Sequence, residues 1–213
     1  MKNKPNPNVL HPVNNRYDLI FPANLSNGKN IIIGDFTYIR DTKFANHVIS
    51  HVGTFDDKLI IGKFCQIGSN VKFVMNGANH QMDCASTYPF YIFQTWDHKL
   101  PRNDEFKNKG NIEIGNDVWI GNDVTILPGV KIGNGAIIGM NSVVGKDIPD
   151  YAIAIGNPIQ IIKKRFDEET ISLLLKYEWW NQSVEQINDD INMLTCNNHD
   201  QLKKWLRQKV LAK

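Results

Sequence analysis

No run of this 213-residue chain is long and apolar enough to cross a bilayer, because its most hydrophobic stretches are short and cut by Gly and Asn. The N-terminus, with Pro5, Pro7 and several Asn, offers no apolar stretch resembling a signal peptide. An excess of one charge is missing as well: 24 Lys and Arg against 22 Asp and Glu leave a formal net charge of +2. Nothing in that balance asks for nucleic acid or an anionic membrane as partner. Cysteine is scarce, and Cys65, Cys84 and Cys196 form neither a zinc pattern nor an even disulfide set. These absences set an expectation of one domain, or one domain with an appendage, in a reducing cytoplasm.

What the chain does have is a period of six. Ile114, Ile120, Ile126, Ile132, Ile138 and Val144 recur without a slip, and Gly115, Gly121, Gly133, Gly139 and Gly145 follow five of them, Leu127 being the exception. Four residues after each aliphatic comes a second register, Val118, Val124, Val130, Ala136 and Ser142, ending at Ile148. Six fits neither a helix at 3.6 nor a lone strand at 2. It fits a chain that turns a corner every six residues, with one aliphatic inward per face and a tight-turn residue at each corner. Three such faces make a coil of about eighteen residues, whose short strands pair with the next coil at roughly 4.8 Å. Hairpins joined by Gly-Asn and Gly-Lys turns are the alternative, and six consecutive in-phase matches argue against them.

Residues 1–30 are expected to form an irregular arm closed by Ser26-Asn27-Gly28, and residues 31–156 the coil. Residues 40–58 lack the period and form a first excursion; the repeat resumes at Ile61-Gly62 and Ile67-Gly68, with Cys65 as a small core residue. A second excursion over 74–113 carries Met75 to His80, the aromatics Tyr88, Phe90, Tyr91, Phe93 and Trp96, and His98. A loop of that length in a compact protein points to function. The coil proper is expected to stop at Pro149, and 157–213 to be helical. There Asp167 caps one helix, Ser183 and Gln186 make a capping box for a second, and Leu202, Trp205, Leu206 and Val210 mark a third.

The hexapeptide repeat resembles that of acyltransferases built on left-handed parallel β-helices. A sharper resemblance is to their xenobiotic acetyltransferase branch, carried by residues 60–68, Met75 to His80, Ser86 to Phe90, residues 114–121, Gly156-Asn157-Pro158, Arg165-Phe166 and Trp179-Trp180-Asn181. Within it, Asn76-Gly77-Ala78-Asn79-His80 looks like the streptogramin A O-acetyltransferases. The resemblance implies a homotrimer with active sites between subunits, acetyl-CoA as co-substrate, no metal, and a small hydroxylated acceptor. It also implies His80 as the catalytic residue and a donor groove of Trp119, Gly121, Gly139, Asn141 and Ser142. Lys146, Lys163, Lys164 and Arg165 are candidates for the CoA phosphates, since cations and phosphate oxygens pair through charge-assisted hydrogen bonds. Tyr38, His51, Val52, Met75 and Asn79 are the acceptor-side candidates. Val52 falls where the streptogramin enzymes carry a tyrosine that holds the acceptor hydroxyl, and Phe36-Thr37-Tyr38-Ile39 replaces their tyrosine-rich stretch.

The chemistry suits a histidine. A hydroxyl attacks a thioester poorly until its proton is removed, and imidazole titrates near neutral pH, where such a base contributes roughly 10² to 10⁴-fold. Other readings are an O-acetyltransferase for a sugar or another cellular alcohol, a zinc-dependent γ-type carbonic anhydrase and a non-catalytic trimeric scaffold. The carbonic anhydrase needs three histidines, and the coil from Ile114 to Gly145 has none.

Overall fold

The computed structural model describes residues 4–25, 28–50, 55–93, 95–99 and 106–211. Its strands are short, and the chain deals them in rotation to three sheets. The first sheet holds β1 (Ile31–Ile33), β4 (Leu59–Ile61), β7 (Ile112–Ile114) and β10 (Lys131–Ile132). The second takes β2 (Tyr38–Ile39), β5 (Gln66–Ile67), β8 (Trp119–Ile120) and β11 (Ile137–Ile138). The third takes β3 (Val48–Ile49), β6 (Lys72–Val74), β9 (Thr125–Ile126) and β12 (Val143–Val144). All twelve pair in parallel, which makes a three-faced parallel coil. Ile114 lies beside Ile132, Ile120 beside Ile138 and Ile126 beside Val144, eighteen residues apart each time.

Both registers of the repeat point inward. Ile120, Ile126, Ile138 and Val144 are fully buried, as are Val118, Val124, Ala136 and Ser142. Burying an isoleucine or valine stabilises by about 1.5–3 kcal/mol, so a column of them carries the coil. Cys65 belongs to this core, and burial pushes its thiol up to about 12.

The tight-turn residue expected at each corner is found two residues after the position that Gly115, Gly121, Gly133 and Gly139 occupy, at Asp117, Asp123, Gly129, Gly135 and Asn141, where φ is left-handed, between 56° and 80°. Those five positions are themselves six apart, and Asp, Asn and Gly are the residues that tolerate that conformation. The glycines after the aliphatics are needed for a different reason. A Cβ on Gly133 would lie 2.4 Å from the Asp150 nitrogen, and one on Gly121 would lie 2.7 Å from the Met140 nitrogen. The next coil fills the space.

The first excursion is shorter than 40–58. Phe44 is fully buried in the core, and β3 joins the third sheet, with Val48 beside Phe73. His47 is 3% exposed, with Nδ1 donating to the Val71 carbonyl at 2.6 Å and Nε2 3.1 Å from Asp41 Oδ2, so it holds this segment to the coil. The N-terminal arm also packs on the coil: Ile20 is buried and bridges Ile39. At the other end the second sheet continues past Pro149, adding β13 (Ala152–Ile155) beside β11 and β14 (Gln160–Lys164) antiparallel to β13.

Among the described residues the first α-helix is α1 (Glu168–Tyr177), where Asp167 accepts from the Thr170 nitrogen as the capping pattern requires. In α2 (Val184–Leu194), Ser183 caps Gln186, but the Gln186 amide turns to Asp190, so only half of the expected box forms. Then α3 (His199–Leu211) lays Leu202 and Leu206 against Ile171, Leu174 and Tyr151 in a second, smaller core.

Candidate active site

The long loop leaves the coil at the end of β6 and returns at β7. Its first residues form a 3₁₀ turn, Asn76–Ala78, and Asn79 and His80 follow. Asn76 is fully buried and ties the turn on both sides. Its backbone and side-chain nitrogens donate to Asp57 Oδ2, each at 2.9 Å, and its side-chain nitrogen also reaches the Gly110 carbonyl at 2.9 Å. Asn76 Oδ1 accepts from the Lys109 nitrogen at 2.9 Å, so the two ends of the loop are joined at the base. Asn79 Nδ2 donates to the Lys107 carbonyl at 2.8 Å and to Asn76 Oδ1 at 3.2 Å.

His80 lies beyond this anchor, exposed, beside a cleft of about 250 Å³ lined with Met82, Asp83, Cys84 and Lys107. Its Nδ1 is 2.8 Å from the Thr87 carbonyl oxygen. A carbonyl can only accept, so Nδ1 carries a hydrogen, and in the neutral ring the lone pair is on Nε2. That is the tautomer a base needs, with the ring's orientation held by the same bond.

A second set of candidates lies on another face. In the second sheet, Tyr38 pairs with Gln66, Gln66 with Trp119, Trp119 with Ile137, Ile137 with Ile153, and Ile153 with Lys163. Their successors Ile39, Ile67, Ile120, Ile138 and Ala154 are buried, so this row is the outward one. Trp119 is 53% exposed in its middle. Five strand spacings make the row roughly 24 Å long. Tyr38, Trp119 and Lys163 therefore share one strip of surface, whereas His80 follows the third sheet. Lys146 lies after β12 on that third sheet, beside a cleft of about 350 Å³ lined with Leu127, Gly145, Asn157 and Pro158.

Several expected contacts have other occupations. Met75 is fully buried in the coil core, so its side chain does not face an acceptor. Ser142 is also fully buried. Its hydroxyl donates to the Gly139 carbonyl at 2.6 Å and accepts from the Gly156 nitrogen at 3.0 Å, which leaves nothing for a ligand. Arg165 donates to the Gly135 carbonyl at 2.7 Å, lies 3.5 Å from Asp117 Oδ2 and packs over the Tyr151 and Phe166 rings, so it locks the last coil to the helices. Gly121 and Gly139 are filled against by Met140 and Ile155, so coil stacking accounts for them without a ligand. Asn141 is exposed at a corner with φ 58°. Lys164 pairs with Glu168 at 2.5 Å, whereas Lys163 is exposed. His51 and Val52 lie outside the described residues.

Two residues of the loop base escaped the sequence reading of the site. Asn76 stands in the His80 motif and could have been found there; Asp57, nineteen residues earlier, gave no signal beyond being an acidic residue in a polar stretch. Among the described residues no group of three or more His, Cys, Asp or Glu side chains comes together as a metal site. Among them too, no helix is long and apolar enough to cross a membrane.

A three-faced hexapeptide coil interrupted by the long loop that carries His80 defines a class, the hexapeptide-repeat transferases. Residues 111–146 match the family described as "Bacterial transferase hexapeptide (six repeats)". The chain is 54% identical over 154 residues to a "Probable macrolide acetyltransferase" of Lysinibacillus sphaericus, spanning 72% of this chain and 86% of that one. It is 43% identical over 204 residues to the "Virginiamycin A acetyltransferase" of Staphylococcus aureus, spanning 94% and 93%. A "Chloramphenicol acetyltransferase" of Klebsiella aerogenes is 51% identical over 152 residues, 70% of this chain and 72% of that one. The chain belongs to the hexapeptide-repeat acetyltransferases, in the xenobiotic branch that these three represent, and it is an acetyltransferase.

Proposed function

We propose that this enzyme transfers an acetyl group from acetyl-CoA to a hydroxyl of a small molecule, an antibiotic of the group A streptogramin type, with His80 as general base. The observation that carries the reading is the hydrogen bond from His80 Nδ1 to Thr87, which leaves the Nε2 lone pair for the acceptor's proton. As the acceptor oxygen bonds to the thioester carbon, its proton passes to Nε2. The C–S bond then breaks, and Nε2 returns the proton to the CoA thiolate. No acyl-enzyme forms. The buried Cys65 thiol is held far from its reactive form, in agreement with direct transfer.

The acceptor class is supported by the 94% span of the relationship to the virginiamycin enzyme and by the Asn-Gly-Ala-Asn-His turn. Acetyl-CoA is the donor, lying along the outward row from Tyr38 to Lys163 with Trp119 at its centre; Lys146 and Lys163 are the cations for its phosphates.

The coils wind left-handed and three chains associate, so that the His80 loop of one copy meets the Trp119 row of another. Two features support this arrangement: His80 follows a strand of the third sheet whereas Trp119 lies on the second, and Trp119 and Ile155, both outward on that second sheet, are more than 40% exposed. An apolar face of that kind is a contact surface. Tyr38 and Asn79 are the acceptor-side contacts, with His51 and Val52 beside them. Val52, in place of a tyrosine, favours one second reading, an acceptor hydroxyl on a sugar or other cellular alcohol.

The test is release of CoA thiol from acetyl-CoA with a group A streptogramin, a macrolide, chloramphenicol and a galactoside as parallel acceptors. Turnover is expected with the streptogramin. Turnover with the galactoside alone would replace the acceptor class and keep the chemistry.

A further inference from the structure

We propose that Asp57 is a positioning residue for the reaction, holding His80 in place through Asn76 and Asn79. This rests on the reading of His80 as the base. Asp57 is 2% exposed, just ahead of β4, and among the described residues no cation pairs with its carboxylate. A buried carboxylate is costly unless strong hydrogen bonds compensate it. Here both bonds come from one residue, the backbone and side-chain nitrogens of Asn76 on Oδ2. Leu59, two residues on in β4, is fully buried, as are Phe73 and Met75 just ahead of Asn76, so the bonded pair sits between two buried apolar stretches of the chain. The carboxylate serves the turn, because an apolar side chain there would leave the buried Asn76 backbone nitrogen without its acceptor.

The connection to the reacting group is short. Asn76 uses its side chain completely, donating to Asp57 and Gly110 and accepting from Lys109 and Asn79. Asn79 in turn holds the Lys107 carbonyl, and the next residue is His80. Beyond this base, Gln81 to Lys99 contains no buried residue among those described. The coil therefore reaches His80 through Asp57 and Asn76, while the Thr87 carbonyl holds the ring from within the loop. Misplacing a base by about 1 Å can cost about a hundredfold in rate, and Asp57 is the rigid end of the tie.

The experiment compares Asp57→Ala, Asp57→Asn and His80→Ala with the wild type, by steady-state kinetics below the unfolding temperature and by ¹⁵N NMR of the His80 ring. Asp57→Ala is expected to lower kcat about 30-fold or more, with KM for acetyl-CoA within about twofold. Asp57→Asn keeps one oxygen to accept from the Asn76 nitrogen and is expected to recover kcat to within about tenfold of wild type. The ring spectrum is expected to show the Nδ1–H tautomer in the wild type and in Asp57→Asn, and a mixed population in Asp57→Ala. If the alanine variant does not fold, the asparagine variant carries the test, with kcat lowered at unchanged KM. Wild-type kcat in every folded Asp57 variant, or a loss of melting temperature with kcat and tautomer unchanged, would overturn the proposal. A fully active His80→Ala protein would instead sink the assignment of the base, whatever Asp57 does.

Discussion

The coil over 111–146 and the loop that begins at Asn76 are built by opposite rules. In the coil every sixth residue repeats a job done by its neighbours, with Ile120, Ile126, Ile138 and Val144 all fully buried in one column. In the loop nothing repeats. Its aromatics meet one another, Tyr88 against Phe93 at 5.2 Å and Phe90 against Trp96 at 5.2 Å, but none of them is buried. Among the described residues the loop is held at its base by the hydrogen bonds of Asn76 and Asn79 and by the ring of Phe106 between Tyr91 and buried Phe55. Ile61 and Ile114 pair in register although fifty-three residues separate them, so the coil ignores what is inserted between its turns. Stability is thus distributed over many equivalent positions, whereas the proposed chemistry is concentrated in one short turn.

Substitutions can break that division. The largest effect on the fold is expected at Gly133→Ala, whose Cβ would meet the Asp150 backbone nitrogen at 2.4 Å. It should lose about 3 kcal/mol by denaturant titration, the upper end for overpacking. Next comes Asn79→Ala, which cuts the tie to the Lys107 carbonyl. It should lower kcat about tenfold, near 1.4 kcal/mol in the barrier, while the coil melts at an unchanged temperature. A small effect is expected at Gly145→Ala, where the nearest atom is Leu127 Cδ1 at 3.3 Å, the end of a flexible side chain. Its stability should stay within about 0.5 kcal/mol of wild type. Smallest of all, a thiol reagent should label exposed Cys84 in the native protein without loss of fold, and leave Cys65 untouched.

The same division explains what the sequence could tell. Redundancy is legible: six in-phase aliphatics announce the coil, and the second register names the other half of its core. Which residue turns each corner is not legible, because the glycines stand out while Asp117, Asp123 and Asn141, which carry the left-handed backbone, look like ordinary polar residues. The helix caps at Asp167 and Ser183 were local and readable. Residues doing two kinds of work were not: Arg165 looks like a phosphate ligand in the sequence and is an internal lock in the fold, since only packing brings Asp117 and Gly135 to it. Asp57 was invisible for the same reason, its partner Asn76 being nineteen residues away.

The central claim is that His80 Nε2 takes the acceptor's proton, and its most direct test is the rate of acetyl transfer in His80→Ala beside the wild type. With acetyl-CoA and the acceptor saturating, the variant is expected to lose about a hundredfold or more in kcat while binding acetyl-CoA with unchanged affinity. An unchanged kcat would contradict the account and move the base elsewhere.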